Sequence, residues 1–248
     1  MPKRWYRIFQ AVLLLALFFF LGTKVINNQL SWYINPRFIT LTYIGILFLG
    51  VLVYRLVMEM KGSFAPDEHD EHDHDHTPNL VNLLIMLIPL VVGILIPARP
   101  LGSATVSAKG LNNSSPLISS QAESLQLVVA SEKRDILGWV TLFDMEDNVD
   151  PFMGEQASVI GFVYFDERLP NGQFFVSRII LSCCAADGYA VGMLVDWPQA
   201  ATLEKDTWVR VTGPVEKGYI ADEPLAIPLI RAEIVEIVPQ PDQPYLYP

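Results

Sequence analysis

A chain of 248 residues that carries a formal charge of -10, yet is 51% hydrophobic with a mean hydropathy of +0.32, is not an ordinary soluble protein. It is not a nucleic-acid binder either. Phosphate recognition needs clustered Lys and Arg, whereas from Leu125 onward 19 Asp and Glu face 8 Lys and Arg.

The apolar runs of membrane-spanning length all precede residue 97, which divides the chain into a membrane part and an acidic, water-facing part. The first run, RIFQAVLLLALFFFLGTKVI (Arg7–Ile26), follows Lys3, Arg4 and Arg7. Those cations resemble the n-region of a signal peptide, but no small-x-small cleavage site follows, which favours a retained span over a removed leader. The second run, FITLTYIGILFLGVLVYRLVMEM (Phe38–Met60), is entered through Pro36, with Trp32, Tyr33 and Tyr54 placed as interfacial aromatics. The third, LVNLLIMLIPLVVGILI (Leu80–Ile96), is interrupted by Pro89 and Gly93. The expectation is a multi-pass membrane region over residues 1–97 with three helices at about 7–26, 38–60 and 80–96. Lys3, Arg4 and Arg7 favour a cytoplasmic N-terminus, which places the loop after the second span in the cytoplasm and the C-terminal domain outside. These spans hold almost no ionisable group, and Arg55 lies near an end where it can snorkel. Helices without a polar pathway point to a subunit and not a channel.

Between the second and third runs lies PDEHDEHDHDHTP, residues 66–78, which contains all four histidines of the chain. Asp67 to His76 are six carboxylates and four imidazoles with nothing else among them. In an extended chain His72, His74 and His76 share one side, and in a helix His72 and His76 share a face. Imidazole nitrogens beside carboxylates suit Zn2+ or another divalent transition metal better than magnesium or calcium. The candidate ligands are His69, His72, His74, His76, Asp70, Asp73 and Asp75. The same composition also describes a solvated low-complexity spacer. A metal there competes with protons, so binding weakens as pH falls through the histidine range.

Residues 98–124, rich in Ser, Asn, Gly and Ala, read as a flexible linker. In SEKRDILGWVTLFDMED, Ser131 is placed to cap a helix carrying Ile136, Leu137, Val140 and Phe143, although Gly138 weakens it. From Gln156 the pattern turns to short apolar strands separated by turn residues: ASVIGFVYFD, QFFVSRIILSCC, YAVGMLVDW, TWVRVTGPVE and LIRAEIVEIV. Five strands over residues 125–240 predict an all-β domain, a small OB-like barrel, with a half-open sandwich as the alternative. The tail 241–248 is proline-rich and reads as an extended segment leaving the domain.

The second candidate site is SCCAADG, where Cys183, Cys184 and Asp187 could form a soft metal site or a redox centre. Adjacent side chains of a strand point to opposite faces, so the thiols converge only if the strand ends or bulges there. One core cysteine and one near the surface is the competing expectation. With every histidine in the loop, no Ser-His-Asp or Cys-His pair can form within the domain, and no Walker or dinucleotide fingerprint is present. The chain is expected not to be an enzyme.

The order of parts, with RIILSCCAADG, WVRVTGPVE and a closing IVP, resembles the YcgQ-like family of bacterial permease-associated membrane proteins. The family pattern reads Cys-Cys-x-Ala-Asp-Ala; Cys183, Cys184, Ala186 and Asp187 match it and Gly188 departs. The resemblance implies an accessory subunit working beside a multi-span permease in the lipid membrane, with a link to zinc-type metal handling. Two alternatives remain open: a membrane-anchored thiol or metal-handling envelope protein using Cys183, Cys184 and Asp187, and a membrane-anchored OB-like module without metal.

Overall fold

The computed structural model describes residues 3–60, 62, 80–96, 99–112, 130–146, 148–220 and 226–247. They belong to two compact units, Met1–Arg99 and Pro100–Pro248. The His/acid loop and residues 113–129 lie outside the described residues.

In the first unit, α1 (Lys3–Ile26) and α2 (Ile39–Met60) form where the two longest apolar runs stand. The segments Trp5–Ile26 and Pro36–Met60 are long and apolar enough to cross a membrane, by length and composition. Their apolar side chains face outward: Leu41, Ile44, Leu47 and Phe48 are each more than half exposed. A 3-10 turn, Pro36–Phe38, leads into α2; Pro36 needs no amide partner there, and Asn35 Oδ1 accepts from Arg37 N at 3.0 Å. The third run is helical too, as α3 (Leu80–Leu95), but has only 16 residues with Pro89 inside. At 1.5 Å per residue it measures about 24 Å, short of the ~30 Å hydrocarbon core. Two spans therefore rest on helix length, and the third expected span does not. Helix α1 packs against both α2 and α3. Gly93 allows the second contact, since a Cβ there would lie 2.6 Å from Phe20 Cζ.

The second unit is a barrel. Its strands are β1 (Gln156–Tyr164), β2 (Gln173–Ile180), β3 (Tyr189–Asp196), β4 (Trp208–Gly218), β5 (Ile227–Arg231), β6 (Ile234–Ile237) and β7 (Tyr245–Leu246). Antiparallel pairs β1–β2, β2–β3, β4–β5 and β1–β4, with parallel β3–β5, close a ring of five strands. The run LIRAEIVEIV, expected as one strand, is two. The chain bends at Ala232–Glu233, so β5 pairs with Val215–Gly218 of β4 and β6 with Val209–Thr212.

Inside the ring, Val159, Phe174, Val176, Ile180, Val191, Met193, Val209, Val211 and Ile230 form the core. Helix α5 (Ile136–Met145) plugs it with Ile136, Leu137, Trp139 and Val140. Ser131 does not cap this helix; Ser131–Lys133 is a separate 3-10 turn, and Asp135 Oδ1 accepts from Gly138 N at 2.8 Å. The cap bonds the backbone of the glycine that weakened the sequence pattern.

Strand β2 is buried along nearly its whole length, so its outer face must also be covered. Two segments expected to be free cover it. The expected linker contributes α4 (Ser103–Lys109), whose Val106 is buried against Phe162, Ile179 and Ala190. The proline-rich tail returns as β7, pairing in parallel with Ile179 and Ile180 of β2. Arg178 holds that tail by donating to the carbonyls of Gln243 (3.0 Å) and Tyr245 (3.4 Å), and Tyr245 Oη accepts from Leu101 N at 2.7 Å. Burial pulls the Arg178 pKa below its ordinary value, with nearby Asp135 opposing.

Candidate functional site

Strand β2 ends at Ile180 and β3 begins at Tyr189, leaving SCCAADG as the turn between them. Because the strand has already ended, the two thiols need not diverge. Cys183 Sγ and Cys184 Sγ lie 3.7 Å apart, unbonded. Cys183 is exposed and Cys184 half-buried, so neither is the core cysteine that the sequence also allowed.

Asp187 organises the turn. Its Oδ1 accepts from Ser182 N at 3.2 Å, and its Oδ2 from Cys183 N at 2.7 Å and Cys184 N at 3.3 Å. Asp187 N in turn donates to Cys184 O at 3.1 Å. One carboxylate thus gathers three consecutive amides and fixes both cysteines on its own side. A sulfur of each cysteine and a carboxylate oxygen of Asp187 all lie within 4.8 Å of one another. Among the described residues this is the one group of three His, Cys, Asp or Glu placed to hold a metal ion.

The electrostatics of this trio are those of a resting thiol. The hydrogen bond to the Asp187 carboxylate, then that to Cys184, pushes the Cys183 pKa up to about 11. Partial burial pushes Asp187 upward, but the Cys183 thiol and the three amides outweigh it and hold the carboxyl below its usual range. A nucleophilic or redox-active cysteine needs the opposite, a depressed pKa. A soft cation held at the sulfurs would supply the charge that releases the thiol proton.

The turn is clamped from outside by groups with no recognisable local signal. Lys109 Nζ, at the end of α4, donates to Ala186 O (3.0 Å) and Gly188 O (2.7 Å). Leu111 bridges to Ala190, and Asn112 N donates to Ala190 O at 2.8 Å. Helix α4 itself is pinned by Asp206, which accepts from Ser103 N (2.7 Å) and Ser103 Oγ (2.6 Å). At Gly188, where the chain departs from the family pattern, a Cβ would meet Leu101 Cδ1 and Leu181 Cδ2 at 2.9 Å each. The glycine therefore serves packing and leaves the thiols and carboxylate in place.

Two domains of one family together match nearly the whole chain: the DUF1980 N-terminal domain over residues 9–112 and the DUF1980 C-terminal domain over residues 122–248. The chain belongs to the DUF1980 family. A Streptococcus mutans protein named "Putative two-component membrane permease complex subunit" is 24% identical over 275 aligned positions, covering 95% of this chain and 97% of that protein. The Bacillus subtilis "UPF0703 protein YcgQ" is 28% identical over 96 residues. That match covers 39% of this chain and spans only 34% of YcgQ. The YcgQ-like resemblance of the sequence is thus upheld.

The other sequence-derived ligands, His69, His72, His74, His76, Asp70, Asp73 and Asp75, lie outside the described residues. A separate cavity of about 220 Å³ is lined by Lys133, Arg134, Asp135, Ser158 and Arg178, among others. Both of its arginines are answered by the chain: Arg134 by Glu155 at 3.5 Å, and Arg178 by backbone carbonyls. Asp135, the helix cap, brings a carboxylate to the same lining.

Proposed function

We propose that this DUF1980 chain is a non-catalytic accessory subunit of a multi-span permease complex in the cell membrane, and that its barrel holds a divalent, zinc-type metal ion on the sulfurs of Cys183 and Cys184, which Asp187 sets side by side. The observation that carries the metal assignment is the turn itself, where a single carboxylate draws three amides together and sets two exposed thiols side by side. Sulfur donors favour a soft or borderline cation over magnesium or calcium.

The subunit assignment is supported by α1 and α2, whose outward faces are aliphatic and aromatic and offer no polar path, and by the printed name of the S. mutans relative. In this account α3 completes a third, short span beside α1, the N-terminus is cytoplasmic and the barrel lies outside. The histidines and acids of Asp67–His76 collect cations on the opposite side. An OB-like reading of the barrel is supported by its ring order β1-β2-β3-β5-β4, with β3 and β5 parallel.

Two measurements on one preparation test this. The full chain is purified in mild detergent from native membranes, co-eluting proteins are identified by mass spectrometry, and bound zinc is measured by elemental analysis. The partner is expected to co-elute, and zinc per chain to fall in Cys183→Ser/Cys184→Ser and again on deleting Asp67–His76. Absence of any multi-span partner removes the subunit role. Equal zinc in all variants removes the metal role and leaves an OB-like module on a membrane anchor. A thiol-redox protein is the weaker reading, because Asp187 raises the Cys183 pKa where redox chemistry needs it lowered.

A further inference from the structure

We infer that the Cys183–Cys184 turn is half of a four-coordinate site, giving two thiolates to the ion and leaving its other positions to donors on an incoming protein, so that the ion passes by ligand exchange. This rests on the turn being the metal site.

Three observations carry it. Both oxygens of Asp187 accept backbone amides, three in all, so the carboxylate is engaged in holding the two cysteines side by side. No further His, Cys, Asp or Glu joins the group among the described residues, whereas a closed structural zinc site takes four protein ligands. The turn is also held rigidly from behind, by Lys109 on two carbonyls and by close packing at Gly188, while Cys183 is exposed in front.

The spacing of the sulfurs is that of a thiol–thiol contact, and it also accommodates a tetrahedral ion. Two thiolates at about 2.3 Å from a tetrahedral ion stand about 3.8 Å apart, whereas a linear two-coordinate ion would spread them to about 4.6 Å. The observed 3.7 Å fits the tetrahedral case with almost no movement. In the exchange, two sulfur–metal bonds form as two thiol protons leave to water. Water fills the remaining positions. Each incoming nitrogen or sulfur donor first replaces a water, one bond forming as one metal–water bond breaks. Further donors then replace the two sulfurs in the same way, with no electron transferred.

The test uses the full chain in detergent with His69, His72, His74 and His76 replaced by Asn, loaded with one equivalent of cobalt(II). The expected spectrum has thiolate-to-cobalt charge-transfer and intense tetrahedral d–d bands, both lost in Cys183→Ser/Cys184→Ser. Added imidazole, standing for the partner's donor, should shift the d–d bands saturably, and the rate of cobalt loss should rise with chelator concentration. Absence of sulfur-dependent bands would overturn the metal assignment itself. Sulfur-dependent bands that imidazole leaves unmoved, with release independent of chelator, would overturn only the half-site. So would tetrahedral bands seen in the unsubstituted chain and lost in the His→Asn background, because the chain's own histidines would then complete the shell.

Discussion

The two units of this chain use apolar residues in opposite ways. In α1 and α2 the Leu, Ile and Phe side chains face outward, and the two helices approach closely where Gly50 meets Phe18. In the barrel the same residue types face inward around Trp139, Phe174 and Ile180, each 0% exposed, and the polar chemistry is pushed to the strand ends. The contrast shows where specific function can be built. Lipid-facing helices supply attachment. A closed barrel supplies rigid strand ends, and only there does a turn hold two thiols in register with a carboxylate.

Substitutions can break this contrast. Trp139→Ala should destabilise the barrel by about 3–5 kcal/mol, as expected for emptying a packed core, whereas Leu47→Ala on α2 should change stability in detergent by less than about 0.5 kcal/mol. Denaturant titration followed by circular dichroism checks both; equal effects would deny that the units are stabilised differently. Arg178→Ala should cost about 1.5–3 kcal/mol and expose the tail, read as faster amide exchange at Tyr245 and Leu246. A smaller effect is expected at the site. Asp187→Ala should lower metal affinity about 10- to 100-fold with the fold intact, and Asp187→Asn, which keeps one acceptor oxygen, should lose less.

The smallest effect is a pH shift. Cys183, with its pKa raised to about 11, is more protonated in the folded chain than in the unfolded one, where a thiol titrates near 9.0. The hydrogen bond's stabilisation is therefore fully present below pH 9.0 and is lost as pH rises through about 11. In metal-free protein, alkylation of Cys183 should keep accelerating with pH beyond the point where the unfolded chain levels off. A profile that levels at the same pH in both would remove the Asp187 hydrogen bond from the account.

Much of the fold was readable because local pattern and burial agree. The apolar runs became α1, α2 and α3, and alternating segments between turn residues became the ring strands. The misreadings share a physical cause, which is burial supplied from far along the chain. Ser103–Lys109 and Tyr245–Leu246 look like linker and tail because their own composition is polar or proline-rich. They are ordered by the outer face of the barrel, which needs cover, through partners such as Asp206 and Arg178. The thiol pair was legible as chemistry, since Asp187 follows it at turn spacing. Lys109 was not, because a single lysine 77 residues from Ala186 leaves no mark in the sequence. The histidines were the loudest signal in the sequence, yet the candidate site among the described residues is the cysteine turn.

The central claim is that the metal sits on two sulfurs of the barrel turn. X-ray absorption at the zinc edge on the full chain, with the four histidines replaced by Asn, tests it most directly. The account predicts two sulfur neighbours at about 2.3 Å, joined by light nitrogen or oxygen scatterers. A zinc shell without sulfur, or one unchanged in Cys183→Ser/Cys184→Ser, would contradict it.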